Sequence, residues 1–241
     1  MTTSLPSRTD PGTACIFGAG GGIGSAFCEE LLAQGWSVHA CSRSGAAPKG
    51  ASAHRFDLED ESSIAALAQE IGSLDMVIVA TGLLHGDALG PEKTYKAIDP
   101  AVMARVFAVN TFGPAAIAKH FLPLLSRDRR SWFAALSARV GSITDNGLGG
   151  WHSYRASKAA LNMLIRNFAI EMHRSNREAI VAALHPGTVD TGLSRPFQSG
   201  VPDGKLFTPQ YSARKLLAVL LSLEPGDSGG HFDWAGQPVP A

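Results

Sequence analysis

Two of the three tyrosines in this chain are followed four residues later by a lysine, a spacing that can support acid–base chemistry. The pairs are Tyr154 with Lys158 and Tyr211 with Lys215. On a helix, residues four apart share one face, so the phenol and the ammonium are neighbours. The charge of the lysine favours the phenolate and lowers the tyrosine pKa from its ordinary value of about 10, which helps a proton to move.

A glycine-rich segment near the start of the chain is suited to hold a pyrophosphate. It follows a short apolar run and precedes a helical pattern from Ser25 to Gln34. Backbone without Cβ atoms turns tightly, and the amides and positive dipole at a helix N-terminus stabilise the phosphate charge. The spacing fits GxxxGxG rather than GxGxxG and predicts dinucleotide binding. The candidate binding residues are Gly18, Gly20, Gly22, Ile23 and Gly24.

The end of the second predicted strand bears on the choice of dinucleotide. NAD-specific proteins place a carboxylate there for the ribose 2′-hydroxyl, but the stretch from Val38 to Arg43 contains none. Arg43 offers a guanidinium and Ser42 a hydroxyl where a 2′-phosphate would lie. The sequence therefore favours NADP, bound as NADPH, over NAD. The alternative is that Arg43 is a solvated loop residue.

The elements that must position these residues alternate between strand and helix. Short apolar runs typical of buried parallel strands lie at Thr13–Phe17, Ser37–Cys41, Asp75–Ala80, Ser131–Leu136 and Ala179–Leu184. Helical patterns lie at Glu61–Ile71 after a cap at Asp60, at Ala101–Leu125 and at Ser153–His173. This βαβ alternation predicts an α/β fold: a single Rossmann-type doubly wound domain with an about seven-stranded, mainly parallel sheet and helices on both faces.

No linker or repeat divides residues 1–241, so we expect a single domain. Residues 1–12 are expected to be flexible, and residues 192–208 are predicted to form a mobile substrate loop. The segment Gly229–Trp234 is predicted to be the last strand.

Composition excludes several classes of function. Acidic and basic residues balance at 21 each, with no dense basic stripe, so nucleic acid is not an expected partner. No apolar stretch is predicted to span a bilayer, and we expect a cytoplasmic protein without a membrane partner. The three cysteines, Cys15, Cys28 and Cys41, lack the spacing of a metal site or a disulfide framework, and we expect small buried hydrophobic residues and no metal.

The context of Tyr154 separates it from Tyr211. Before Tyr154 come Asn110, in the sequence VNTFG, and a strand that ends at Ser137, whereas Tyr211 opens a late amphipathic helix without such company. Together with the glycine segment, this arrangement resembles the short-chain dehydrogenase/reductase family. The resemblance implies that Tyr154 is the proton donor and Lys158 its activator and a ribose ligand. It also implies that Ser137 contacts the carbonyl oxygen and that Asn110 supports a proton-relay water.

The position of the serine departs from the family pattern. The family serine usually stands three residues before a glycine, and that position is Ala138, before Gly141. Ser137 is therefore one residue early. Either the end of the strand bulges to aim Ser137 inward, or Ser142 takes its place.

The resemblance also extends the set of cofactor-binding residues. Asp57 and Leu58 match the segment that holds the adenine ring, and Gly82 matches a backbone turn, although Val79-Ala80-Thr81 replaces the usual Asn-Asn-Ala. The HPGTVDT segment matches the one that binds the nicotinamide carboxamide. The nicotinamide-binding candidates there are Pro186, Gly187, Val189 and Thr191, in addition to Asn110, Tyr154 and Lys158.

The implied function is an NADPH-dependent reductase of aldehydes or ketones that works reversibly on alcohols. The family forms homodimers and homotetramers, and the apolar predicted helices suit such an interface. Within the family, segments such as Ala80–His85, Arg139–Ile143 and Phe232–Trp234 look like the C-factor group. The alternative function is therefore a nucleotide-binding signalling or sensor protein with little or no turnover.

Overall fold

The computed structural model describes residues 11–86 and 90–241. The expected flexible segment at residues 1–12 falls almost wholly outside the described residues. All elements and contacts below belong to the described ranges.

Seven strands form one parallel sheet, which confirms the predicted fold class. The nine strands in chain order are β1 Thr13–Phe17, β2 Ser37–Ser42, β3 Ser52–Arg55, β4 Met76–Val79, β5 Ser131–Leu136, β6 Ala179–His185, β7 Thr188–Val189, β8 Leu206–Phe207 and β9 His231–Asp233. The main sheet has the order β3-β2-β1-β4-β5-β6-β9, and each neighbouring pair is parallel. The strand order reverses between β1 and β4. In open α/β sheets a ligand crevice forms at this point, outside the carboxyl ends of the strands.

Helices cover both faces of the sheet. The six α-helices are α1 Gly22–Ala33, α2 Glu61–Ile71, α3 Pro100–Phe107, α4 Gly113–Phe121, α5 His152–Ser175 and α6 Pro209–Ser222. Alternate strand residues point to opposite faces, so Ile16 packs with Phe27 of α1 while Phe17 packs with Phe121 of α4. The helix α2 has the predicted bounds because the Asp60 side chain accepts a hydrogen bond from the amide of Ser62.

The predicted helix Ala101–Leu125 is interrupted. The helices α3 and α4 are joined by a π-helical turn, Ala108–Phe112, which places Asn110 in the protein interior. Single π-turns inside helices are often found at functional sites. The hydrophobic periodicity did not indicate this turn. A π-turn changes the spacing of the backbone hydrogen bonds but leaves the run of apolar residues unbroken.

The same helical run has the length and composition of a membrane span. It covers Pro100–Leu124. The expectation that no stretch meets these criteria was therefore wrong. In the fold, Val106, Ile117 and Phe121 of this run are buried against the rest of the protein, so one side of the run packs into the core.

Two other boundaries differ from prediction. The helix α1 begins at Gly22 rather than Ser25, so the last glycines of the loop lie in the first helical turn. The segment 192–208 contains a 3₁₀ turn, Arg195–Gly200, and the short strand β8, which pairs in parallel with β7. Its Pro and Gly residues suggested an irregular loop, but Phe207 is buried and ties the end of this segment to the core.

Gly24 is required for the close packing of α1 against the end of β1. A Cβ atom at this position would collide with the carbonyl group of Gly18 and lie 3.1 Å from the Cα of Ala19. We expect Gly24→Ala to lower the free energy of unfolding by about 1–3 kcal/mol, because the overpacked backbone must shift. Urea denaturation measures the change.

Gly226→Ala is the matched control. A Cβ atom there would have no neighbour within 4 Å, and its backbone conformation is open to any residue. Its unfolding free energy should change by less than about 0.5 kcal/mol. Equal stability of the two variants would contradict the packing argument for Gly24.

Candidate active site

A continuous cleft lies at the carboxyl ends of β1 and β4. It consists of a cavity of about 600 Å³ and a second of about 430 Å³. Five residues line both cavities: Gly20, Gly21, Ala80, Thr81 and Gly82. The cleft therefore opens at the crevice that the strand order creates.

The glycine loop forms the floor of this cleft. Gly18 has a positive φ of 85°, and its amide donates to the carbonyl oxygen of Cys41 at 2.9 Å. A Cβ atom on Gly20 would lie 3.4 Å from the Cβ of Ser42, so a side chain there would occupy the space beside the end of β2. No side chain caps the first turn of α1, and Gly22, Ile23 and Gly24 of that turn line the smaller cavity. These features fit the pyrophosphate of a dinucleotide, which binds through free amides at a helix N-terminus.

Seven of the predicted cofactor-binding residues line the larger cavity. They are Gly18, Gly20, Ser42, Arg43, Asp57, Leu58 and Gly82. The Ser42 hydroxyl donates to the carbonyl oxygen of Ala46 at 2.9 Å, so its oxygen remains available as an acceptor. The carboxylate of Asp57 accepts a hydrogen bond from the amide of Glu59, which fixes the turn after β3.

The smaller cavity brings the predicted chemical groups together. Tyr154, Lys158 and Ser137 line it with the glycines at the start of α1. The Nζ of Lys158 lies 5.8 Å from the centre of the Tyr154 ring and donates to the carbonyl oxygen of Leu136 at 2.8 Å. Tyr154 is 9% exposed and Lys158 is 2% exposed, so both groups are largely removed from water.

Burial sets the protonation states of this pair. It raises the pKa of Tyr154 to about 12, because the phenolate loses its hydration. It lowers the pKa of Lys158 to about 8 for the same reason, since here the charged form is the ammonium. Burial thus outweighs the depression of the tyrosine pKa that the lysine was expected to cause. At neutral pH the phenol carries its proton and is a potential donor.

Asn110 lies behind the cleft rather than in its wall. Its Oδ1 accepts from the amide of Leu83 at 2.8 Å, and its Nδ2 donates to the carbonyl oxygen of Leu83 at 2.8 Å and to Ser157 at 3.1 Å. The side chain thus joins the loop after β4 to the helix that carries Tyr154. It holds the two sides of the site in place.

Of the two candidate serines, only Ser137 lies in the cavity of Tyr154. The end of β5 does not bulge, because the amide of Ser137 donates to the carbonyl oxygen of Leu184 and continues the ladder. The Ser137 hydroxyl donates to the Oδ1 of Asn162 at 2.6 Å. Ser142 donates instead to the carbonyl oxygen of Ala241 at 3.3 Å, outside the described wall of that cavity.

The segment after β6 closes the other side of the cleft. Pro186 and Thr191 line the smaller cavity, whereas Gly187 and Val189 of the same segment do not. Gly187 has a positive φ of 75°, and a Cβ atom on it would lie 2.6 Å from the ring of Phe207. This close contact fixes the turn that presents Thr191.

Aromatic rings surround the entrance beside Tyr154. Trp151 packs against Tyr154 with ring centres 6.3 Å apart and against Phe197 at 5.1 Å. His85 packs on the other side of Phe197 at 5.7 Å. The 3₁₀ turn of the segment 192–208 therefore contributes an apolar wall next to the phenol.

Comparisons with known proteins agree with this geometry. Residues 12–201 match the family model for short chain dehydrogenases. The chain belongs to the short-chain dehydrogenase family. A solved carbonyl reductase from chicken fatty liver, with NADPH bound, superposes with a TM-score of 0.81 and 26% identity over 95% of this chain and 98% of that one. An NADP-bound short-chain dehydrogenase/reductase from Burkholderia multivorans gives a TM-score of 0.81 and 26% identity over 96% and 99%.

Two relatives are more similar in sequence. C-signal of Myxococcus xanthus is 37% identical over 143 residues, which are 59% of this chain and 81% of that protein. A 1-hydroxy-2-glutathionyl-2-methyl-3-butene dehydrogenase of Rhodococcus sp. (strain AD45) is 31% identical over 225 residues, 90% of this chain and 94% of that one. The resemblance to the C-factor group is confirmed by the first of these.

In this short-chain dehydrogenase, the sequence did not reveal several polar residues that support the site. Asn162 holds the Ser137 hydroxyl and lies 3.4 Å from the Nδ1 of His231. The buried carboxylate of Glu92 accepts hydrogen bonds from both the amide and the hydroxyl of Ser153, the residue before Tyr154. Asn162 lies eight residues after Tyr154, about two turns further along the same side of α5, so helical spacing could have indicated it. No pattern in the sequence indicated Glu92.

The second tyrosine–lysine pair has the same geometry without the same setting. The Nζ of Lys215 lies 5.8 Å from the ring centre of Tyr211, as in the first pair. Tyr211 is 39% exposed and packs against Phe207 and Trp234 rather than lining the cleft. Spacing alone therefore produces the contact, and only the surrounding elements make a site of it.

Two histidines behind the site make stability dependent on pH. Burial lowers the pKa values of His185 and His231 to about 4, and each has a ring nitrogen without a partner. Between pH 6.5 and pH 4 the unfolded chain binds more protons than the folded one, so stability falls as the pH falls. From pH 7 to pH 5 we expect a loss of at most about 2 kcal/mol per histidine, at about 1.4 kcal/mol per pKa unit.

Thermal unfolding of His231→Asn between pH 7 and pH 5 tests this dependence. The variant should lose less stability on acidification than the wild-type protein. His173→Asn, at an exposed position near the end of α5, should retain the wild-type dependence. The same pH dependence in all three proteins would show that the buried histidines are not its source.

Proposed function

We propose that this short-chain dehydrogenase is an NADPH-dependent reductase of aldehydes or ketones, with Tyr154 as proton donor. The observation that carries the proposal is the single cleft in which a buried tyrosine–lysine pair faces a glycine loop suited to a dinucleotide. A module that only binds nucleotide has no need of a phenol buried beside an ammonium. The NADPH-bound carbonyl reductase of similar fold supports the cofactor and the carbonyl substrate.

We infer that different residues of the cleft would hold different parts of the cofactor. The pyrophosphate would lie on the glycine loop and the first turn of α1, and the 2′-phosphate beside Ser42 and Arg43. The segment that contains Pro186, Gly187, Val189 and Thr191 would hold the nicotinamide, with Pro186 and Thr191 nearest to it. When bound there, the cofactor would supply the hydride for reduction of a carbonyl carbon.

The protein's own contribution is the proton and its control. Tyr154 is protonated at neutral pH and donates to the carbonyl oxygen as negative charge develops on it. The ammonium of Lys158 stabilises the phenolate that remains, in a cavity where low exposure strengthens their attraction. Trp151 and Phe197 keep water away from the phenol. In the reverse direction the phenolate accepts the proton of an alcohol.

Ser137 completes the proposed machinery as a hydrogen-bond donor to the carbonyl oxygen. Its hydroxyl has one proton, which it donates in a hydrogen bond to the Oδ1 of Asn162. Rotation toward the substrate exchanges that hydrogen bond for a stronger one to the developing alkoxide. Asn110 supports the route by which Lys158 and Tyr154 recover the proton.

We propose that residues 1–241 act as one domain in the cytoplasm and that the chain forms a homodimer or homotetramer. The exposed Phe112, Met163 and Ile170 on the helical layer suit such contacts. Residues 192–208 would adjust to the substrate.

The similarity to C-signal favours a second candidate function. The chain would then bind nucleotide as a signal or sensor and turn over slowly or not at all. Titration of NADPH and NADH, followed by a panel of aldehydes and ketones, distinguishes the two functions. Binding without oxidation of NADPH in the presence of any carbonyl would favour the second.

Removal of the Tyr154 hydroxyl tests the chemical step. Tyr154→Phe keeps the ring and its packing but has no proton to donate, so kcat should fall at least a hundredfold, as expected for loss of a general acid. NADPH binding, measured by fluorescence titration, should be unchanged. Lys158→Met should weaken NADPH binding as well as turnover, because it removes a ribose ligand.

Tyr211→Phe is the matched control for the chemical step. Its lysine lies at the same distance, but the ring is outside the cleft. Its kcat should stay within about twofold of wild type, because the ring lies outside the cleft and makes no interaction in the transition state. Near-wild-type kcat in Tyr154→Phe would remove the proposed mechanism.

Alanine at each candidate serine tests the carbonyl contact. Ser137→Ala should lower kcat about a hundredfold or more, the usual loss for one transition-state donor, with NADPH affinity unchanged. Ser142→Ala should leave kcat near wild type, because its hydroxyl binds the end of the chain. A large loss for Ser142→Ala alone would identify Ser142 as the donor.

A further inference from the structure

We propose that Arg55 is a second guanidinium of the site for the cofactor's 2′-phosphate and that it determines the preference for NADPH together with Arg43. The inference rests on the proposed function, because it assigns a residue to the same cofactor. No motif in the sequence indicated Arg55. Its position in the sheet did.

The register of the edge strands brings the two arginines to the same end of the sheet. In the parallel pair of β2 and β3, Ser42 lies opposite Arg55, and this is the last pair of the register. Arg43 follows Ser42 directly. Parallel strands end at one edge of a sheet, so both arginines emerge beside the adenosine end of the cleft.

The two side chains share a cavity. A space of about 390 Å³ is lined by Arg43, Arg55, Phe56, Asp57 and Ser63. Three of these residues, Arg43, Phe56 and Asp57, also line the large cavity of the cleft. The shared wall makes this space an extension of the adenosine site rather than a separate pocket.

The charges in this cavity favour an anion. Neither Arg43 nor Arg55 forms an ion pair with a carboxylate of the described chain, whereas Arg105, at the rim of the large cavity, is paired with Glu59. Two guanidiniums against the one carboxylate of Asp57 leave a positive balance. A phosphate placed between them relieves the repulsion of like charges.

The chemistry of the guanidinium suits a monoester phosphate. Such a group carries about −1.5 to −2 charges at pH 7 and three acceptor oxygens. Each guanidinium offers two parallel donors, so two arginines from adjacent strands can bind different oxygens of one phosphate. NADH has a hydroxyl in that place and gains nothing from either arginine. The pair therefore acts on the preference between cofactors.

Calorimetric binding of two adenosine fragments isolates this site from catalysis. The probes are 2′,5′-ADP, which carries the 2′-phosphate, and 5′-AMP, which lacks it. We expect the wild-type protein to bind 2′,5′-ADP at least tenfold more tightly. Arg43→Ala and Arg55→Ala should each weaken 2′,5′-ADP at least fivefold and leave 5′-AMP within twofold.

Further variants separate this role from a general effect of charge. Arg55→Lys should restore part of the lost affinity, and the double alanine variant should bind the two probes equally. Lys49→Ala removes an exposed cation from the same connection between β2 and β3, outside the described walls of the cavity, and should change neither affinity. Since Arg55 is exposed, its variants should fold, and circular dichroism checks this.

The possible outcomes distinguish this inference from the proposed function. If Arg43→Ala weakens 2′,5′-ADP and Arg55→Ala does not, the role of Arg55 is wrong and the NADPH proposal stands. Equal binding of both probes by the wild-type protein overturns the NADPH preference and the role of both arginines. Equal weakening of both probes by Arg55→Ala would also overturn its role, because it would then not act on the 2′-phosphate.

Discussion

The amide side chain of Asn110 connects the parts of the site that no continuous element joins. It binds both backbone polar groups of Leu83 after β4 and the hydroxyl of Ser157 on α5. The π-turn makes this possible, since it moves one residue of a long helix out of the regular spacing and into the interior. Each of these buried polar atoms would cost free energy if it lost its hydrogen-bond partner. The amide is therefore firmly held in this position. The loop after β4, which lines both cavities, and α5, which carries Tyr154, are therefore fixed in position relative to each other.

Burial then gives the held groups their chemical character. Tyr154 remains protonated and Lys158 loses part of its preference for the charged state, and exclusion of water is the cause in both cases. The pair Tyr211 and Lys215 shows the contrast, because it has the same separation at the surface and no cavity before it. The four-residue spacing of tyrosine and lysine therefore does not identify a site by itself. The strands and loops that bury Tyr154 and Lys158 beside a cavity distinguish this pair from the other.

Much of the fold was predictable because its signals are local. Apolar runs gave the buried strands, and Asp60 fixed the start of α2 through a short-range cap. The π-turn and the pairing of β7 with β8 were missed, since both depend on contacts between distant parts of the chain. For the site, the glycine spacing and Tyr154 were visible as motifs. Glu92, Asn162 and Arg55 were not, because only the folded chain brings them to Ser153, Ser137 and Arg43.

The position of Ser137 shows how one residue of offset changes the meaning of a motif. Along β5 the side chains alternate between faces, and Phe133, Ala135 and Ser137 share the face covered by α5. The family position, Ala138, is the next residue of this extended backbone, so alternation directs its side chain to the opposite face. The hydroxyl of Ser137 thereby reaches Asn162 on the helix that also carries Tyr154 and Lys158. Because Asn162 lies on α5 with Tyr154, this hydrogen bond ties the offset serine to the helix that carries the phenol.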